Sequence, residues 1–153
     1  MNNYLILGGD LRQIYLGRML KQQGLPTVTS ADLGRLNLSL EEAIKASSVL
    51  LCPVPFTKDG KTIFSTDQKD SLKITDLLRH LTPDNTLFGG NIPDFVKDHA
   101  KEHKIPYFDF LEIEEITLEN TIATAEGAIA EAIRLSPDCL HPVSYTHLRA
   151  HET

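Results

Sequence analysis

The chain has 153 residues, 41% of them hydrophobic, and a formal net charge of −6. That length and balance suit one domain with a full-sized core, and they give no reason to expect nucleic acid, whose phosphates call for an excess of cations. Cys52 and Cys139 lack paired spacing, so neither a disulfide framework nor a metal centre is expected; no run is long enough to span a bilayer, and a cytoplasmic setting follows as the expectation.

The opening string Tyr4-Leu5-Ile6-Leu7 reads as a buried parallel strand, because a strand covered on both faces is continuously apolar. It breaks into Gly8-Gly9-Asp10-Leu11-Arg12-Gln13 as a helical pattern begins. Glycines there let the backbone turn sharply and bring N–H groups close to an anion, and Arg12 has the fork that grips a carboxylate. The glycines are adjacent and the next is Gly17, so G-x-G-x-x-G is absent and a pyrophosphate cradle is not expected. The same turn also reads as an ordinary strand-to-helix connection in which Asp10 is only an N-cap.

Leu11, Ile14, Tyr15, Met19 and Leu20 form a helical stripe that ends at Gly24. Residues 26–29 predict a second strand, and Ser39 with Glu42 predicts a capping box for a short helix. Residues 48–52 predict a third strand, stopped by Pro53-Val54-Pro55, after which 56–67 are polar and contain glycine. Ile74, Leu77, Leu78 and Leu81 carry the next helix; Thr86-Leu87-Phe88 is a fourth strand ending in Gly89-Gly90-Asn91. A helix from Pro93 to about residue 103, a fifth strand over 105–110 and a long helix over about 120–135 complete the pattern.

This alternation predicts an α/β fold: a doubly wound, mainly parallel sheet of about five strands, Rossmann-like or flavodoxin-like. The turns at 8–13, 53–57 and 89–91 should then converge at the carboxyl edge of the sheet, with Pro53, Gly89 and Gly90 beside Gly8, Gly9, Arg12 and Gln13. In the last helix Thr124, Glu126 and Gly127 stand together, and Gly127 costs roughly 1 kcal/mol of helix stability relative to alanine. Such a glycine marks close packing or a nearby ligand, and Glu126 or Asp10 is a candidate proton acceptor. His99 and His103 are four apart, but no third ligand stands out, so a solvated helix face is expected there. Glu112, Glu114, Glu115 and Glu119 form an acidic run that reads as wet surface, some of it favouring the start of the last helix through its dipole. Val143 to Thr153 breaks with the rest; it is similar to one reading frame of a sequencing adaptor and is set aside, leaving 1–141 as the natural segment of a chain expected to continue.

Leu7-Gly8-Gly9-Asp10-Leu11-Arg12-Gln13 and Thr124-Ala125-Glu126-Gly127-Ala128-Ile129 resemble the amino-terminal domain of the A-subunit family of dipicolinate synthase. The resemblance implies the first domain of a two-domain, dehydrogenase-like protein whose absent second domain holds NADP, so no cofactor is expected in this segment and the segment alone is expected to be inactive. It further implies oxidation of a dihydrodipicolinate-type cyclic diacid to dipicolinate in the mother cell of a spore-forming bacterium. A small dicarboxylate substrate, the dipicolinate synthase B-subunit for a partner, and room for homo-oligomers are implied with it. The alternative is a non-enzymatic flavodoxin-like module that binds a small anion or a partner.

Overall fold

The computed structural model describes residues 2–67 and 71–135. It divides into two units, 1–113 and a second that begins at Glu114. In the first, five strands, β1 (Tyr4–Ile6), β2 (Thr27–Thr29), β3 (Val49–Leu51), β4 (Thr86–Gly89) and β5 (Tyr107–Asp109), form one parallel sheet in the order β2-β1-β3-β4-β5. Helices α1 (Leu11–Gln22), α2 (Ser30–Arg35), α3 (Leu40–Lys45), α4 (Ile74–His80) and α5 (Asp94–Glu102) alternate with them. The chain steps outward from β1 to β2 and then crosses back to β3, which makes the β1/β3 junction the switch point where open α/β sheets hold ligands.

Strand register explains the layers. Val28, Leu5, Leu50, Leu87 and Tyr107 lie side by side across the sheet. On that face Leu5, Leu50 and Leu87 pack with Ala43 and Ile44 of α3, Ile74 and Leu77 of α4, and Val96 and Ala100 of α5. The alternate row, Thr29, Ile6, Leu51, Phe88 and Phe108, faces the other way. Helix α1 lies on that side: a Cβ on its buried Gly17 would sit 3.3 Å from Thr29 Cγ2 and 3.4 Å from Ile6 Cδ1.

The strand positions and the Ser39/Glu42 capping box agree with the sequence reading. Glu42 N–H donates to Ser39 Oγ at 3.2 Å and Ser39 N–H donates to Glu42 Oε2 at 2.8 Å. Three features differ. The stripe of α1 is not buried: Leu11, Ile14, Tyr15 and Met19 are all at least half exposed, and the helix meets the sheet through Gly17 instead. Periodicity defines a face but not what lies against it. Helix α2 is not among the predicted elements, although Thr29 and Asp32 form a second capping box, with Asp32 N–H donating to Thr29 Oγ1 at 3.3 Å and Thr29 N–H to Asp32 Oδ2 at 3.1 Å. Finally, α6 (Glu114–Leu135) starts at Glu114 rather than near 120, with Glu114 and Glu115 in its first turn, where carboxylates favour a helix start. None of the described helices is long and apolar enough to cross a membrane.

Asp32 ties this region together. Burial pushes its carboxyl up, but the Thr29 N–H, Arg35, the Thr29 hydroxyl and Lys21 outweigh that and hold it at about 2 rather than 3.8. A group with a depressed native value contributes stability above its unfolded value and loses it as pH falls through the native one. Asp32→Asn is therefore expected to lower unfolding free energy by about 2 kcal/mol at neutral pH. The gap from wild type should close between pH 4 and about 2, which urea titrations across that range would measure.

Candidate functional site at the carboxyl edge of the sheet

The three turns do meet. Gly8 and Gly9 follow β1 with φ of 59° and 89°, in the left-handed region that favours glycine. There is also no space for a side chain. A Cβ on Gly8 would lie 2.5 Å from the Phe64 carbonyl oxygen, and one on Gly9 would overlap Gln13 Cγ. The turn after β4 presses on the turn after β3 in the same way, since a Cβ on Gly90 would overlap Val54 Cγ2 and one on Gly89 would lie 2.8 Å from Phe56. Hydrogen bonds close the gaps: Phe56 N–H donates to the Gly90 carbonyl at 2.7 Å, and Gly90 N–H to the carbonyl of buried Pro53 at 3.3 Å.

Those bonds change one expectation. The glycine N–H groups were expected to be open to an anion, but Gly8 N–H donates to Ser30 Oγ at 3.1 Å and Gly9 N–H to the Phe64 carbonyl at 2.7 Å. With Gly90 N–H given to Pro53, the backbone here is engaged within the protein, because buried N–H groups must find partners in the fold itself. The returning loop supplies them. Thr66 also donates its N–H to the Gly9 carbonyl at 3.0 Å.

Arg12 places an exposed cation at this edge. Its Nε lies 3.0 Å and 3.2 Å from the two oxygens of Asp10, and its Nη2 lies 3.0 Å from Asp10 Oδ2 and 2.7 Å from the Val54 carbonyl. Asp10 also caps α1, accepting from Arg12 N–H at 3.0 Å. Asp10 and the Val54 carbonyl thus hold the guanidinium across the β1/β3 junction, while its Nη1 has no partner among the described residues. The side chain is 68% exposed. Hydrogen bonds from Arg12 keep the Asp10 carboxyl below the ordinary carboxylate range, which leaves it ionised at neutral pH and a weak base. Gln13 Nε2 points back to the Leu51 carbonyl at 3.3 Å and the Leu7 carbonyl at 3.5 Å, bracing the same junction.

Asp109, which sequence reasoning missed, holds the third turn. Its Oδ1 accepts from Asn91 N–H at 3.0 Å and Leu111 N–H at 2.9 Å, and its Oδ2 from Ile92 N–H at 2.8 Å, with Lys97 Nζ 3.6 Å away. Burial works against its charge, yet the three N–H groups and Lys97 hold its carboxyl below the usual range. Asn91 is kept at φ 55° by this clamp. The only local signal is a lone acid inside the apolar run Tyr107-Phe108-Asp109-Phe110-Leu111.

Glu126 and Gly127 stand on α6, in the second unit, where both are exposed. A Cβ on Gly127 would meet nothing within 4 Å, so close packing does not account for that glycine. The Thr124 side chain lies outside the described residues, as does the segment from 136 onward that includes Cys139 and the adaptor-like string. The rings of His99 and His103 stack at 4.1 Å, while His99 Nε2 lies 3.1 Å from the Leu78 carbonyl and His103 Nδ1 lies 2.9 Å from the His99 carbonyl. Cys52 is buried, and burial pushes its thiol well up, away from nucleophilic use.

A parallel sheet of order 2-1-3-4-5 with its turns gathered at the switch point defines a Rossmann-like, flavodoxin-type α/β domain. Residues 3–111 match the family model of the N-terminal domain of the dipicolinate synthase A-subunit, and the chain belongs to that family. Two solved structures share the fold. Dipicolinate synthase A chain from Bacillus subtilis matches at TM-score 0.70 and 21% identity over 92% of this chain and 50% of its own. The dipicolinate synthase A-subunit from Bacillus halodurans matches at TM-score 0.70 and 18% identity over 92% of this chain and 51% of its own. The chain thus spans about half the length of these two structures. No curated protein matches the sequence.

Gly8→Ala is expected to destabilise the first unit by about 2 kcal/mol, because a methyl at positive φ must displace the Phe64 carbonyl. Limited proteolysis should then cut first within 56–66. Gly127→Ala has the opposite sign: in open space it is expected to stabilise the helix, by up to about 1 kcal/mol. Circular dichroism melting measures that gain.

Proposed function

We propose that this domain binds and orients a small cyclic dicarboxylate as the substrate-side half of an NADP-dependent oxidoreductase of the dipicolinate synthase type. The observation that carries the reading is Arg12, held by Asp10 and the Val54 carbonyl at the junction where three strand-end turns meet. Family membership supports the substrate class, since dipicolinate is the compound in the family's name. With Nε and Nη2 engaged by Asp10 and the Val54 carbonyl, the guanidinium keeps its positive charge and the N–H groups of Nη1 for a substrate carboxylate oxygen. Oxidation of a dihydropyridine diacid removes a hydride and a proton, and NADP supplies the hydride acceptor when bound.

The residues of this chain do not fit the dinucleotide itself. The N–H groups of Gly8 and Gly9 are given to Ser30 and Phe64, and the Asp10 carboxylate occupies the start of α1, where it would repel a pyrophosphate. The proposal therefore keeps NADP away from this first turn, on a second domain of the whole protein, as the family resemblance implies. Glu126 is the proposed proton acceptor, because Asp10 is spent on Arg12 and the cap of α1. Thr124 and Gly127 belong to the same proposal. Partnership with the B-subunit, and a place in the mother cell during sporulation, are what the family suggests for the whole protein.

Titration of the chain with pyridine-2,6-dicarboxylate, followed by amide chemical shifts, tests the reading. Shifts are expected at 8–13, 53–57 and 89–92, with affinity falling about tenfold or more in Arg12→Ala, the loss of one charge-assisted pair. In the full-length protein the same substitution should raise KM by a similar factor. An unchanged affinity and KM would overturn the carboxylate role of Arg12. Binding at this edge with no NADP reduction by the full-length protein would favour a binding module over an enzyme.

A further inference from the structure

A cavity of about 490 Å³ opens on the β2 side of the first turn, and Arg12 does not line it. Its base is apolar. Ile6 is 1% exposed, and Gly17 and Ala31 continue the surface, the glycine letting α1 sit down onto Ile6 and Thr29. The mouth is cationic, with Arg18, Lys21 and Arg35 against the single carboxylate of Asp32, which leaves two positive charges in a chain of net charge −6.

The wiring of those charges matters more than their number. Asp32 Oδ1 accepts from Arg35 Nη2 at 2.6 Å, and Oδ2 accepts from Lys21 Nζ at 3.3 Å and Thr29 N–H at 3.1 Å. Both oxygens are occupied, and Asp32 acts as a strut that holds two cations from different helices at one opening. Arg35 and Lys21 each use one N–H on the strut and keep others for a ligand. Arg18 has no carboxylate partner among the described residues; its guanidinium carbon lies 5.8 Å from the Tyr15 ring centre. Ser30 Oγ, which also lines the cavity, accepts from Gly8 N–H at 3.1 Å and retains its own proton to donate.

We propose that this cavity binds a phosphate monoester carrying a small apolar or planar body, at a site separate from the Arg12 edge. The head group carries a charge near −2 at neutral pH and matches the two surplus positive charges, with arginine forks suited to phosphate oxygens. The space exceeds what inorganic phosphate fills and lies within the range of small-molecule sites, so the body rests on Ile6, Gly17 and Ala31. The site joins β2 and α2 to the first turn through Ser30, whose hydroxyl accepts from Gly8 N–H.

Isothermal titration of the chain with phenyl phosphate tests this, with inorganic phosphate as the head alone. Phenyl phosphate is expected to bind more tightly than inorganic phosphate and to weaken about fivefold or more in Arg18→Ala and in Arg35→Ala. Arg18→Ala leaves the Asp32 network untouched, so a loss there cannot be ascribed to unfolding of α2. Arg12→Ala should bind phenyl phosphate as wild type does, and pyridine-2,6-dicarboxylate should not displace it. Equal binding of the two phosphates, no binding at millimolar ligand, unchanged affinity in the Arg18 and Arg35 variants, or displacement by the dicarboxylate would each overturn the proposal.

Discussion

Backbone meets backbone at the end of β1 with no space for a side chain, and the carboxyl edge is organised around that contact. Gly8 lies against the Phe64 carbonyl, Gly9 is bonded to residues 64 and 66, and only glycine adopts the required φ without strain. Because the loop from 56 to 66 must return to this point, it also passes Gly90, where Phe56 N–H bonds the carbonyl. One close approach thereby links the ends of β1, β3 and β4.

The same contact decides which groups are left for a ligand. Anion sites at strand-to-helix turns depend on free N–H groups, and here they are used by Ser30, Phe64 and Pro53. What remains is side-chain charge, placed by carboxylates that serve as struts. Asp10 holds Arg12 on one side of the turn, and Asp32 holds Lys21 and Arg35 on the other. Each carboxylate is kept ionised by the cations and N–H groups it anchors, so the positioning persists at neutral pH. The turn thus separates two electropositive faces of different chemistry, one with an exposed guanidinium at the switch point and one with an apolar base.

Much of the architecture was legible in local pattern. The apolar runs at Tyr4 to Leu7 and 48–52 reported buried parallel strands because such strands cannot alternate, and Ser39 with Glu42 reported a helix start because the capping bond spans three residues. The convergence of the glycine and proline turns followed from the alternation of strands and helices alone. The exposed stripe on α1 was misleading for a stated reason: a helix can meet a sheet through its smallest residue, and Gly17 carries no hydrophobic signal.

Sequence by itself determined the order of the strands, the parallel sheet, the three turns and the opening family motif, since all of these are written in neighbouring residues. Tertiary structure alone decided that the glycine N–H groups are already engaged, that Asp109 clamps Asn91 and Ile92, and that Asp32 gathers Lys21 and Arg35 at one cavity. Apart from the Asp32–Arg35 pair, which is three positions apart, these bonds join residues 11 to 55 positions apart. A hydrogen bond across such a span depends on where the fold brings each partner, and local spacing holds no record of it.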